Sequence, residues 1–237
     1  MGAIYRLTVR QLSGRWRLAV LSVLAAMPIT ITVIMLRLDK APGVHEFENQ
    51  ILSAMFAGAI IPLMLLAIAG VAFSNEVEDR TLANLYLSPV PRWRIALPKL
   101  FASLTVAGPF VLVSALVTGH IAYVGDSMAT IALTAGMLVA VALYASVFTW
   151  LGLVTTQAIG IGLLYVVIWE GLFSTFVAGV RLLSLRHYAL AVVKGLDPRR
   201  FASLALPELA VVLVLCAGVV GGFAWLTVRR LRRMDVP

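Results

Sequence analysis

SMATIALTAGMLVAVALYASVFTWLGLVTTQAIGIGLLYVVIW runs from Ser127 to Trp169 without one charged side chain. As a helix rising 1.5 Å per residue it is about 65 Å long, roughly two crossings of a 30 Å hydrocarbon core. Thr155-Thr156-Gln157 is the polar interruption within it. The chain is therefore expected to turn there and cross twice, with one longer curved helix as the alternative.

Outward from this pair the same pattern repeats. Apolar runs of span length lie at Leu18–Leu36, Ile51–Phe73, Leu100–Val124, Met128–Val154, Ala158–Val180 and Leu209–Val228. Hydrophobic residues make up 61% of the chain and charged ones 13%, with a mean hydropathy of +0.99. Soluble domains carry about 25% charge, so a soluble globular protein is excluded. The expected fold is an all-α polytopic membrane protein with six transmembrane helices in a single domain, 1–237. Met35-Leu36-Arg37 offers no small-residue cleavage site, so no cleavable signal peptide is expected. Cys216 lies inside the last span and is read as packing.

Bases set the orientation. An even span count puts both termini on one side, together with the second loop. Twelve of the nineteen bases then fall there: Arg6, Arg10, Arg15, Arg17, Arg80, Arg92, Arg94, Lys99, Arg229, Arg230, Arg232 and Arg233. Bases concentrate on the cytoplasmic side, so both termini are expected there. The net charge of +8 is a topology signal, and dispersed bases beside spans argue against nucleic-acid binding. The loop after the fifth span carries Arg181, Arg186, Lys194, Arg199 and Arg200 against this rule. A structured outer cap accommodates them. Leu182, Leu185, Ala189, Val192 and Leu196 recur at helical spacing, and Asp197-Pro198 suits an N-cap and first helical position. Short helices lying on the outer surface between spans five and six are expected.

Three features carry candidate function. The first is the N-terminal segment, where Tyr5, Val9, Leu12 and Trp16 form one helical stripe and Arg6, Arg10 and Arg17 sit about 100° away. This predicts an interfacial helix with its stripe in the acyl boundary. The second is the loop FSNEVEDRTLANLYLSPVPRWRIALPK, 73–99. Asn75 and Glu78 have capping-box spacing, and Glu76, Glu78 and Asp79 suit a helix N-terminus. Such a helix ends by Ser88, because the residue before Pro89 is pushed out of the α region. Leu82, Leu85 and Tyr86 give it a face that fits a groove on a cytosolic partner, whereas an ordinary solvated loop is the simpler reading. The third is Glu170, read as the one ionisable side chain well inside a span, in its outer half. It is a transport-pathway residue or a structural hydrogen-bonding group, with Arg181 as one partner. Pro28, Pro62 and Pro109 interrupt the first three spans, and Pro28 is read with Glu170 as a pathway or structural position. Gly218-x-x-x-Gly222 permits close helix packing. The methionines and histidines show no metal-ligand spacing, and no metal site is expected.

Glu76-x-Glu78-x-x-Thr81-Leu82, then Leu85, then Ser88-Pro89-Val90-x-Arg92 and Lys99, resembles the permease subunits of ABC-2 type exporters. Arg80 stands where that family commonly has glycine. The basic N-terminal helix, the six spans and the helical outer loop agree with the same family. The resemblance implies a cytoplasmic coupling helix between spans two and three, carried by Glu76, Glu78, Thr81, Leu82, Leu85, Pro89 and Arg92. That helix would sit in a cleft of a separate ABC ATP-binding subunit. It implies two such subunits and a second permease, identical or paralogous, in a bacterial inner membrane. The chain has no G-x-x-x-x-G-K-[ST], so no catalytic residue or cofactor is expected on it, and ATP and Mg belong to the partner. A pathway poor in charge suits a hydrophobic or amphiphilic substrate. The alternatives are an intramembrane enzyme acting on lipid, for which no H-E-x-x-H or nucleophile constellation is visible, and a proton-coupled secondary transporter using Glu170.

Overall fold

The computed structural model describes residues 2–37, 47–78, 91–173, 184–201 and 207–233. In chain order the helices are α1 (Gly2–Leu12), α2 (Arg15–Arg37), a π-helical stretch Glu48–Ile60 running into α3 (Ile61–Ile68), and α4 (Val71–Glu78). They continue with α5 (Trp93–Ala122), α6 (Ser127–Val154), α7 (Ala158–Leu164) running into a second π-helical stretch Tyr165–Phe173, α8 (Leu185–Leu196) and α9 (Leu209–Arg233).

Among the described residues, five helices are long and apolar enough to cross a bilayer: Arg15–Arg37, Gln50–Ser74, Trp93–Ala122, Ser127–Val154 and Leu209–Arg233. The helix Ala158–Leu172 is apolar but shorter. The protein is thus a multi-pass membrane protein. The turn expected at 155–157 is present: α6 stops at Val154, Thr155 is extended, and its Oγ1 accepts the Gln157 N–H at 3.1 Å. At the other end of α6, Gly125 takes a left-handed turn (φ 83°) that no Cβ-bearing residue adopts freely. Asp126 then caps the helix by accepting from Ala129 N at 3.1 Å.

Burial orders the bundle. The apolar window of α6 is 67% buried, whereas those of α2 and α9 are 22% and 11% buried. α6 is therefore the axis, and α2 and α9 form the rim. Val23 and Val214 on the rim helices are exposed, which costs nothing in hydrocarbon. Two sites let neighbours approach α6 closely. A Cβ on Gly152 would overlap the Gly70 carbonyl oxygen, and a Cβ on Gly136 would collide with the Val193 side chain and lie 2.8 Å from the Ala189 carbonyl oxygen.

That second contact corrects the expected outer cap. α8 does not lie on a surface: Leu185 and Tyr188 through Val193 are buried, and the helix packs on α6 at Gly136. Gly136 is nine residues into α6, about 13 Å along its axis. The bases did not forbid insertion, because Arg186 runs along the groove at Gly58, with Nη1 3.1 Å from where a Cβ would stand. Asp197-Pro198 likewise ends a helix rather than opening a long one. Asp197 terminates α8, and its Oδ1 accepts from Arg200 N at 3.2 Å in a single following turn.

Three further expectations change. The third long helix begins at Trp93 rather than Leu100, so Glu170 is not alone as an ionisable group within a span, because Lys99 is inside as well. The N-terminal stripe does not run through Trp16. The helix breaks at Ser13-Gly14, and Trp16 belongs to α2, where it is 82% exposed. The rest of the stripe faces protein: Leu12 is buried, Tyr5 and Val9 pack on the core, and Tyr5 donates to Thr105 Oγ1 on α5 at 2.9 Å. An amphipathic stripe specifies burial, and a neighbouring helix satisfies it as well as lipid does.

Candidate functional site

The helix α4 leaves the membrane-spanning segment after a break at Ala69-Gly70 and continues to Glu78. Asn75 is thus inside a helix rather than capping a new one. Glu76 and Glu78 fall in the last turn, where the helix dipole disfavours acids. A cation from another element answers that. Ala72, Phe73 and Glu76 are spaced i, i+1 and i+4 and share one face, and Lys99 of α5 lies against it. Lys99 Nζ is 2.6 Å from Glu76 Oε2, donates to the Ala72 carbonyl at 2.5 Å, and stands 4.2 Å from the Phe73 ring centroid. Lys99 is 1% exposed. Burying an ammonium is costly unless it is paired and hydrogen-bonded; here one helical turn supplies a carboxylate, a carbonyl and an aromatic face.

Phe73 is also the middle of a small separate core formed with Ile95, Ala96, Leu153 and Leu231, on which Ile4 and Val228 pack. These residues come from α1, the end of α4, the start of α5, the end of α6 and the end of α9. Both described termini therefore lie at one end of the bundle, the near end. Its periphery carries tryptophan beside arginine: Arg94 is over the Trp93 ring at 5.3 Å and Arg229 over Trp225 at 5.0 Å. Half-exposed tryptophan with a base above it suits the headgroup level of a membrane.

At the far end the polar feature is Glu170. Its side chain is fully buried. Oε1 accepts from Tyr165 Oη at 3.2 Å and from Leu185 N at 2.9 Å, and Oε2 accepts from Ser184 Oγ at 2.5 Å. Ser184 caps α8 by accepting from His187 N. The carboxylate therefore pins the first turn of α8 to the π-helical stretch. Arg181, its expected partner, lies outside the described residues. Nearby, Tyr123 meets Phe47 and Phe201 edge-on at 5.7 and 5.8 Å, with Arg200 over its ring. Burial, and then Glu48, hold the Tyr123 phenol above its usual pKa, so it stays protonated through the physiological range.

Of the coupling residues expected from the sequence, Glu76 faces inward onto Lys99, Glu78 closes α4, and Arg92 precedes the first turn of α5, its carbonyl accepting from Ala96 N at 3.1 Å. Thr81, Leu82, Leu85 and Pro89 lie outside the described residues. Arg6 and Arg10 are exposed on α1. Pro28 is buried on α2, close to where Ser114 Oγ donates across to the Ala25 carbonyl at 2.6 Å. Lys99 and Phe73 had been read only as a topology base and a span end. The signal for Lys99 was its position between Pro98 and Leu100, which leaves it no exposed stretch to occupy. Among the described residues no three His, Cys, Asp or Glu side chains converge as metal ligands.

Residues 15–185 match the sequence profile of a family described as ABC-2 family transporter protein. The match runs from α2 to the first residue of α8, and so takes in Phe73, Glu76, Lys99 and Glu170. Among curated proteins none matches the chain.

Proposed function

The chain belongs to the ABC-2 family of transporter proteins, and on that premise we propose that it is the permease subunit of an exporter driven by a separate ATPase. The observation that carries the coupling part is the convergence at Phe73. The ends of α4, α5, α6 and α9 and the helix α1 share one small core, at the root of the loop 79–90. A push on that loop reaches all of them together. In this reading Glu78, Thr81, Leu82, Leu85, Pro89 and Arg92 form the surface seated on the ATPase, and Glu76 works from inside as part of its root. Two permease copies, identical or paralogous, pair with two ATPases that hold ATP and Mg. The near end is cytoplasmic, in keeping with its bases, and the membrane is a bacterial inner membrane. The substrate is hydrophobic or amphiphilic, in keeping with the apolar bundle.

The surface is tested by combining Glu78→Lys with Leu82→Asp. Central interface residues contribute about 2 kcal/mol or more, over tenfold in affinity. The double variant should insert and migrate as wild type in size exclusion while ATPase co-purification falls at least that far. Undiminished co-purification would remove the loop from the interface.

A further inference from the structure

We propose that Lys99 is the positioning residue of the coupling apparatus: it fixes helix α4, and thereby the direction in which the coupling loop leaves the bundle. This rests on the coupling reading above and deepens it. Three partners from one turn of α4 converge on a single ammonium: the Glu76 carboxylate at 2.6 Å, the Ala72 carbonyl at 2.5 Å and the Phe73 ring at 4.2 Å. α4 has eight residues and is joined to the preceding helix through the break at Ala69-Gly70. A helix this short does not hold itself in water, and its orientation is set by what grips it. The gripping side chain sits on α5, six residues from its start, about 9 Å along the axis. Lys99 therefore ties the last turn before the loop directly to the helix that follows the loop. Both ends of the loop are locked to each other, so force on it is delivered to α5 rather than lost in bending at Gly70.

The geometry also explains the side-chain type. Lysine has a straight apolar stem that crosses the packed interior beside Ile95, Ala96 and Leu100 and a compact head with three donors. Methionine keeps the stem and removes the head. Arginine keeps the charge but not the compact shape. Glutamine at 76 keeps the volume of the carboxylate and removes its charge.

The test is hydrogen exchange by mass spectrometry on the full chain in nanodiscs, alone and with its co-purifying ATPase. With the permease alone, Lys99→Met should raise exchange of the 71–78 amides by about tenfold or more, because local opening tracks local contacts. Peptides of 127–154 should stay at wild-type rates. Glu76→Gln should shift the same amides in the same direction by less, and the double variant should be no worse than Lys99→Met, since the two changes remove one interaction. With the ATPase bound, MgATP should alter exchange in 93–122 of the wild type, and Lys99→Met should abolish that response while the complex still co-purifies. Wild-type exchange of 71–78 in both Lys99→Met and Glu76→Gln would overturn the inference. Faster exchange with an intact MgATP response would overturn it too, because the grip would then lie off the coupling route. A wild-type chain that binds no ATPase would overturn the parent reading and the coupling half of this one, while the exchange of 71–78 in the permease alone still decides the anchoring half. Should Lys99→Met not fold, Glu76→Gln carries the same comparison.

Discussion

Replacing Glu170 by alanine is expected to release α8 from the bundle. The carboxylate receives Tyr165 Oη, Ser184 Oγ and Leu185 N with no solvent exposure. Hydrogen bonds to a charged group are worth about 1.5–3 kcal/mol each, and a buried donor left alone forfeits its desolvation as well. Alanine strands the first N–H of α8 and two hydroxyls, for a loss of about 3–5 kcal/mol. Glutamine keeps an acceptor for Leu185 N and should cost about 1–3 kcal/mol. Thermal unfolding in detergent should therefore rank wild type above Glu170→Gln above Glu170→Ala. Exchange in 185–196 should rise in the same order. A pathway or proton-carrying role gives a different pattern: unchanged unfolding for both variants, with transport lost in both.

Phe73→Ala should have the other large effect. Phe73 is fully buried, fills the centre of the near-end core and gives Lys99 its aromatic face. Phenylalanine to alanine in a packed core costs about 3–5 kcal/mol, and the lost cation–π contact adds about 1 kcal/mol or more. Because five elements meet on this ring, the damage should spread to amides in α1, α5 and α9 and not stay within α4. Val214→Ala is the matched control. Val214 is 72% exposed on the rim helix α9, and its truncation should change stability by about 0.5 kcal/mol or less. Equal effects for the two variants would mean that the near-end core does not organise the bundle.

The membrane-crossing segments were legible because their signal is local. An apolar run announces itself, and Thr155-Thr156-Gln157 could be placed as a turn from its own residues. What escaped depended on distant partners. Lys99 reads as a helix flank until Glu76, Ala72 and Phe73 are brought to it, so the third helix was started too late. α8 reads as a surface helix from Arg186, His187 and Lys194, since nothing within it reveals that Gly136, some fifty residues earlier, leaves room for Ala189 and Val193. The stripe of Tyr5, Val9 and Leu12 was correctly seen as an apolar face, but its period does not say whether lipid or α5 covers it. Asn75 and Glu78 satisfy a capping-box pattern in sequence, yet the preceding apolar helix simply runs through them. At Glu170 the alternatives of pathway and structure could be separated only once Ser184 and Leu185 were in place.

The central claim is that this permease works through a separate ATPase seated on the loop between α4 and α5. It is tested most directly by extracting the chain from its native membrane in mild detergent and identifying what accompanies it by mass spectrometry. The account predicts a P-loop ATPase in equal amount to the permease. A chain that comes out alone, with loop variants indistinguishable from wild type, would contradict it.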